Sequence, residues 1–187
     1  MYIRVFILST LLVTLSVTSC QKIGDIFDVT FTVPYDNSLF ITGIPGDPHV
    51  PSTGLKESLG LIKIPTNSAE ILEDNKTAIN LVKSVKASEL AVDLLLPLYQ
   101  DVSMADSIWL YVSADGVPEQ LAAYNYNIPD TGKRLELTPT DIDVMDVFIS
   151  DTMVFRIEGF FVKDVAYNSK IKFDMKLKVK ASLFGNN

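Results

Sequence analysis

His49 is the one histidine in a chain of 187 residues, and Cys20 is the one cysteine. Any His-based nucleophilic triad must therefore form around His49, which sits in "GDPHVPSTG" with Asp47 and Ser52 close by in sequence. Triad partners are recruited by the geometry of a fold rather than by adjacency in the chain. No Gly-x-Ser-x-Gly elbow is present either, so the expectation is a solvated loop histidine. One cysteine and one histidine cannot furnish a Cys/His zinc site. Asp141, Asp143 and Asp146 crowd together as calcium candidates, but they lack the turn glycine and bidentate glutamate of an EF-hand loop. They read as acids at a helix start. Paired carboxylates for glycoside hydrolysis are not singled out among the 23 acids; Glu136 and Glu158 read as outward charges on strands. No Gly-rich phosphate loop follows a strand. The expectation is a protein that is not an enzyme and holds no cofactor or metal.

An aromatic set offers a different chemistry. Trp109 and Tyr111 share one face of "SIWLYVS", and Tyr124 and Tyr126 share one face of "PEQLAAYNYN", with Asn125 and Asn127 interleaved. Asp115-Gly116 between the two runs suits a tight hairpin turn, which would bring the four rings into one cross-strand cluster. These rings are the candidate platform for a glycan or a peptide. The competing reading places them in the core, because residues 108–112 are apolar on both parities and predict a central strand covered on both faces. Core burial of Trp109 is the expectation. A row of lysines at 172, 176, 178 and 180 reads as protection of an edge strand against aggregation.

The remaining chemistry belongs to Cys20. Arg4 precedes residues 5–17, "VFILSTLLVTLSV", an apolar run of the length of a signal-peptide core. At ~1.5 Å per residue it spans about 20 Å, too short for a hydrocarbon core of ~30 Å. Val17-Thr18-Ser19-Cys20 resembles the bacterial lipobox, with an apolar residue three positions before the cysteine and a small one just before it. The resemblance covers only residues 1–20. It implies that a diacylglyceryl group alkylates the Cys20 thiol and that cleavage leaves Cys20 as residue one, with an added N-acyl chain. Two or more acyl chains suffice for stable anchoring. Gln21 stands where an aspartate would signal retention in the inner membrane, so the implied address is the outer membrane.

This divides the chain into a signal peptide (1–19), a short tether (20–25) and a single β-rich domain (26–187). Residues 20–187 keep 15 of the 16 basic residues and all 23 acids, for a net charge of −8. A deficit of basic charge argues against nucleic acid as a partner, and leaves anchoring to the lipid.

Period-2 alternation dominates the domain. Strands are predicted at 27–33, 59–64, 85–96, 107–113, 118–127, 135–137, 153–162 and 171–181. The second half of 85–96 has the opposite inward parity from the first, as a bulge requires. Gly159 interrupts an inward face and marks a bulge or a close backbone approach. Short helices are predicted at 75–85 and 138–150, the second capped by Thr140, and residues 34–54 read as irregular. The fold expected is mostly β: an antiparallel β-sandwich with Greek-key, Ig-like connections and two short connecting helices. An open α+β sheet is the alternative. The expected function is that of a membrane-anchored cell-envelope lipoprotein, a non-catalytic interaction or assembly component partnered by membrane lipid and by envelope protein or glycan. A glycan- or other extracellular-ligand-binding lipoprotein is the alternative, and a hydrolase with an unrecognised carboxylate site ranks third.

Overall fold

The computed structural model describes residues 28–41, 50–166 and 169–182. Cys20 with its lipobox, Gln21, the tether, Asp47 and His49 lie outside the described residues.

Among the described residues, eight strands carry the fold: β1 (Asp28–Ile41), β2 (Leu55–Pro65), β3 (Val82–Leu96), β4 (Ala105–Ala114), β5 (Val117–Asn125), β6 (Arg134–Pro139), β7 (Thr152–Phe161) and β8 (Ser169–Ser182). Two short helices, α1 (Ser68–Asp74) and α2 (Met145–Phe148), lie between them. The strands form one sheet in the order β1-β8-β3-β6-β5-β4-β7-β2, antiparallel at every pairing. The sheet folds over at β6. Residues 134–137 pair with β3, whereas only Thr138 and Pro139 pair with β5. The result is two leaves face to face, β1-β8-β3-β6 and β5-β4-β7-β2. The chain passes from one leaf to the other at every connection except the β4–β5 hairpin, whose two strands are neighbours in the same leaf. This is the Greek-key connectivity of a jelly-roll β-sandwich.

Alternation along each strand explains why the leaves meet. On β8 the residues at 171, 173, 175, 177, 179 and 181 are buried, and those between them face outward. On β7 Met153, Phe155, Ile157, Gly159 and Phe161 are buried in the same way. Phe155 from one leaf meets Phe173 from the other with ring centroids 5.0 Å apart, so aromatic packing joins the leaves at mid-core. Where the leaves' outer edges approach each other, the buried Tyr35 hydroxyl of β1 donates to the carbonyl of Thr66 just beyond β2, at 2.5 Å.

Several expectations are met in detail. The parity switch in β3 is a register shift between Ala87 and Glu89, which turns both Val85 and Leu90 inward. The hairpin closes with Ala114 opposite Val117 and Gly116 at φ 73°, in the left-handed region that favours glycine. Gly159 is a close approach: a Cβ there would lie 2.6 Å from the Phe161 ring and 2.9 Å from Ile108 Cδ1.

Others are corrected. Residues 34–41 are not irregular but continue β1, paired to β8 as far as Ile41. Pro34 is accommodated because β1 is an edge strand. The helix expected at 75–85 lies earlier, at α1. Asn75 ends it, its side chain donating to the Ile71 carbonyl at 2.8 Å, and Lys76 follows at φ 57°. Residues 82–85 join β3 instead, where pairing with β8 buries Val85 completely. The helix expected at 138–150 shrinks to α2. Residues 138 and 139 belong to β6, and Asp143 rather than Thr140 supplies the side-chain oxygen for the Met145 N–H, at 3.0 Å.

One end of the sandwich holds Asp28, both helices and the β4–β5 turn. Thr77 there donates to the Ser182 carbonyl at 3.0 Å, and Val144 N–H to the Val85 carbonyl at 2.8 Å. The other end holds the loop from β3 to β4, the β5–β6 connection and the turn after β7. No helix among the described residues is long and apolar enough to cross a membrane.

Candidate functional site

β4 lies between β5 and β7, so its outward side chains sit at the centre of a leaf's outer face. Ile108, Leu110 and Val112 fill the core. Trp109 and Tyr111 are half-buried on the opposite, solvent side. The core placement expected for Trp109 is therefore wrong: a strand apolar on both parities here covers its second face with its own neighbours' side chains rather than with another layer.

Three of the four candidate rings come together. Trp109 is directly opposite Tyr124 in register. Its indole meets Tyr126 edge to face, with centroids 6.0 Å apart and Nε1 donating to the Tyr126 hydroxyl at 3.2 Å. Tyr124 and Tyr126 are 4.8 Å apart, inclined at 33°. Tyr126, just past the end of β5, is 54% exposed. Tyr111 stands apart from this group, because a register shift between Leu110 and Tyr111 sets it opposite Leu121. The Asn125 amide donates to the Glu136 carbonyl at 2.7 Å and its oxygen accepts the Asn127 N–H at 2.6 Å, so it ties the end of β5 to β6.

Charged side chains from β2, β5 and β7 complete the surface. Lys56 Nζ lies 5.0 Å over the Trp109 ring and 2.5 Å from Glu158. The Arg156 guanidinium lies 4.2 Å over the Tyr111 ring, forks onto both oxygens of Glu119 (2.9 and 2.8 Å) and reaches Glu158 at 2.7 Å. Cations over ring faces and forked Arg–carboxylate pairs are both attractive arrangements. Lys56 and then Arg156 hold the Glu158 carboxyl below its ordinary range, and Arg156 does the same to Glu119. Glu158 in turn raises Lys56. Carboxylates kept ionised in this way are poorly suited to general-acid work, which needs a proton retained near neutral pH. The surface is built to present rings and fixed charges.

The charged members were not visible as a group in sequence. Arg156 and Glu158 read as outward residues of β7, but nothing local tells that β7 pairs with β4 on one side and β2 on the other. Those pairings, Trp109 opposite Glu158 and Ser58 opposite Glu158, bring Lys56 and Glu158 to the indole.

The remaining candidates disperse. Asp141 pairs with Lys86 at 2.6 Å, Asp143 accepts the Val85 and Met145 N–H groups, and the Asp146 carbonyl accepts the Ser150 hydroxyl. Glu136 pairs with Arg134 at 2.6 Å on the other leaf. Among the described residues, no three His, Cys, Asp or Glu side chains assemble as a metal site. The lysine row is not an edge guard, because β8 lies between β1 and β3. It is laced with acids: Lys172 to Asp174 at 2.8 Å, Lys176 to Glu89 at 2.6 Å and Lys180 to Asp28 at 3.0 Å.

No protein-family model matches the chain, and no curated protein matches it. Among solved structures it is similar to that of the infectious bursal disease virus Gx strain, with 14% identity and a TM-score of 0.37; the match covers 83% of this chain and 32% of that one. It is also similar to the decameric BFDV capsid protein (9% identity, TM-score 0.40, 82% of this chain and 99% of that one). Desmodium yellow mottle tymovirus follows at 8% identity and a TM-score of 0.29, over 86% of this chain and 91% of that one. The chain thus spans about a third of the bursal virus chain that it matches.

Proposed function

We propose that this protein is a lipid-anchored, non-catalytic interaction component of a bacterial cell envelope, held in the outer membrane through acylated Cys20. The outer face of the β5-β4-β7-β2 leaf meets an envelope protein. The observation that carries this reading is the state of the rings. Stacking a sugar needs an open aromatic face, yet Lys56 lies over Trp109 and Arg156 over Tyr111. Cation-capped aromatics interleaved with ion pairs resemble the mixture of Trp, Tyr and Arg found at protein interfaces. Binding of a glycan is the second reading, supported by the exposure of the Tyr126 ring.

The test has two arms. Cys20→Ser in the full chain should abolish fatty-acid labelling and release the protein from carbonate-washed membranes; retention would overturn the anchor. Trp109, the one tryptophan, reports on the face directly. Its emission in the detergent-solubilised full chain should not respond to peptidoglycan fragments or soluble oligosaccharides. A saturable change that Tyr126→Ala abolishes would replace the protein-interaction reading with the glycan one.

A further inference from the structure

The most exposed large apolar side chains of the described residues are neighbours in sequence. Leu98 is 80% and Tyr99 86% exposed in the loop between β3 and β4, with Leu96 close behind in the chain. Val162, also exposed, is joined to the same loop by its N–H, which donates to the Met104 carbonyl at 2.8 Å. The loop is firmly held. Lys133 Nζ donates to the carbonyls of Pro97 (3.0 Å) and Gln100. The Gln100 side chain donates to the Asp164 carbonyl at 2.7 Å and accepts the Ala166 N–H at 3.1 Å. The Val102 N–H donates to the Gly132 carbonyl at 2.9 Å. Three connections at this end of the sandwich are thus tied beneath two apolar side chains that gain nothing inside the fold. Such pre-organisation lowers the entropic cost of docking.

We infer that Leu98 and Tyr99 form a docking knob for a protein partner with a complementary apolar pocket, presented away from the membrane. The orientation rests on the reading of Cys20 as the anchor. Asp28 opens β1 opposite Ser182, whereas Leu96 is opposite Lys170 at the far end of β8. A 14-residue strand separates these ends by about 45 Å. The seven residues between Cys20 and Asp28 reach at most about 25 Å. A domain standing on that tether holds the knob clear of the bilayer. The charges beside the knob also disfavour an anionic lipid surface. Lys133 turns to the loop's own carbonyls and Lys163 to the Ser103 hydroxyl at 2.6 Å. Lys170 is half-buried and already engaged, while Asp101 and Asp164 line the pocket beside Tyr99.

The test places the photo-crosslinker benzoylphenylalanine at position 99 of the full lipidated chain in cells, with position 178 as an exposed control. A discrete protein adduct is expected from 99 and not from 178. The adduct partner, purified separately, should bind the purified full chain, and Leu98→Asp should weaken that binding about tenfold or more without lowering the melting temperature. No protein adduct, the same adduct from 178, or binding indifferent to Leu98→Asp would overturn the knob. The Cys20→Ser form should not sediment with vesicles of phosphatidylethanolamine and phosphatidylglycerol; sedimentation lost in Leu98→Asp would assign the knob to a bilayer instead. Membrane retention of Cys20→Ser with an unchanged adduct would overturn the anchor and its orientation but keep the knob. Loss of the adduct with lipidation intact would overturn the knob alone.

Discussion

The indole N–H of Trp109 donates to the hydroxyl of Tyr126 at 3.2 Å on the outside of the sandwich, while its strand neighbours Ile108 and Leu110 are buried on the inside. This one bond joins β4 to the residue just past β5 and fixes the indole in place without a covering layer. Replacement of Trp109 by alanine should therefore cost about 1–2 kcal/mol, less than the ~3–5 kcal/mol of a core aromatic. Urea denaturation measures the loss. Tryptophan emission of the wild type should be intermediate in wavelength and partly accessible to acrylamide. A fully shielded indole with a core-sized loss would contradict the outer placement.

Gly159, having no Cβ, lets the Phe161 ring and Ile108 pack closely over its backbone. Alanine there brings a methyl within 2.6 Å of the Phe161 ring and 2.9 Å of Ile108 Cδ1, both buried. Overpacking of this kind costs about 1–3 kcal/mol. Gly159→Ala should lower the denaturation midpoint accordingly, and Phe161→Leu in the same chain should recover part of the loss by freeing space. Additive losses in the double variant would show that the contact is not the cause.

On β8 the two faces should respond in opposite ways. Phe173→Ala removes a fully buried ring that packs on Phe155 and should cost about 3–5 kcal/mol. Lys178→Ala, on the exposed face, should cost less than about 0.5 kcal/mol. Thermal denaturation of the two variants decides it, since a register slipped by one residue would exchange the outcomes.

β8 is legible in sequence because its alternation is unbroken and its polar positions are mostly lysines, which leave only one face able to be buried. The β4–β5 hairpin is legible because Asp115-Gly116 states its turn chemistry locally. Residues 75–85 mislead because the pattern of Ile79, Leu81, Val82 and Val85 fits a helical face as well as a strand. For residues 82–85, pairing with β8, nearly a hundred residues away in sequence, decides for the strand, while Ile79–Leu81 form a single 3-10 turn before it. The aromatic row was legible as a cluster but not as a surface. Whether a second apolar face is covered depends on the layer count of the fold, and this fold has two. The Lys56 and Arg156 caps depend on β7 lying between β4 and β2, a consequence of jelly-roll wrapping that no local pattern announces.

The clasp at the start of β1 makes the sharpest pH prediction. Asp28 opens the strand, and its side chain is only 6% exposed between Lys83 at 2.5 Å and Lys180 at 3.0 Å, with the Ser182 hydroxyl donating at 3.1 Å. The Lys83 hydrogen bond, followed by that of Lys180, lowers its carboxyl from the ordinary 3.8 to about 2. A carboxyl more acidic in the folded than in the unfolded chain stabilises the fold while it is ionised in both. The contribution is therefore fully present above about pH 4, declines as the pH falls through the interval from about 4 to about 2, and is gone below it. Asp28→Asn should be less stable than the wild type at neutral pH, and the gap should close across that same interval in acid. Urea midpoints of the two proteins measured from pH 7 to pH 2 check this. A gap that stays constant into acid would mean that the carboxylate's charge is not what holds β1, and that the Ser182 hydrogen bond or the packing of the strand carries the clasp instead.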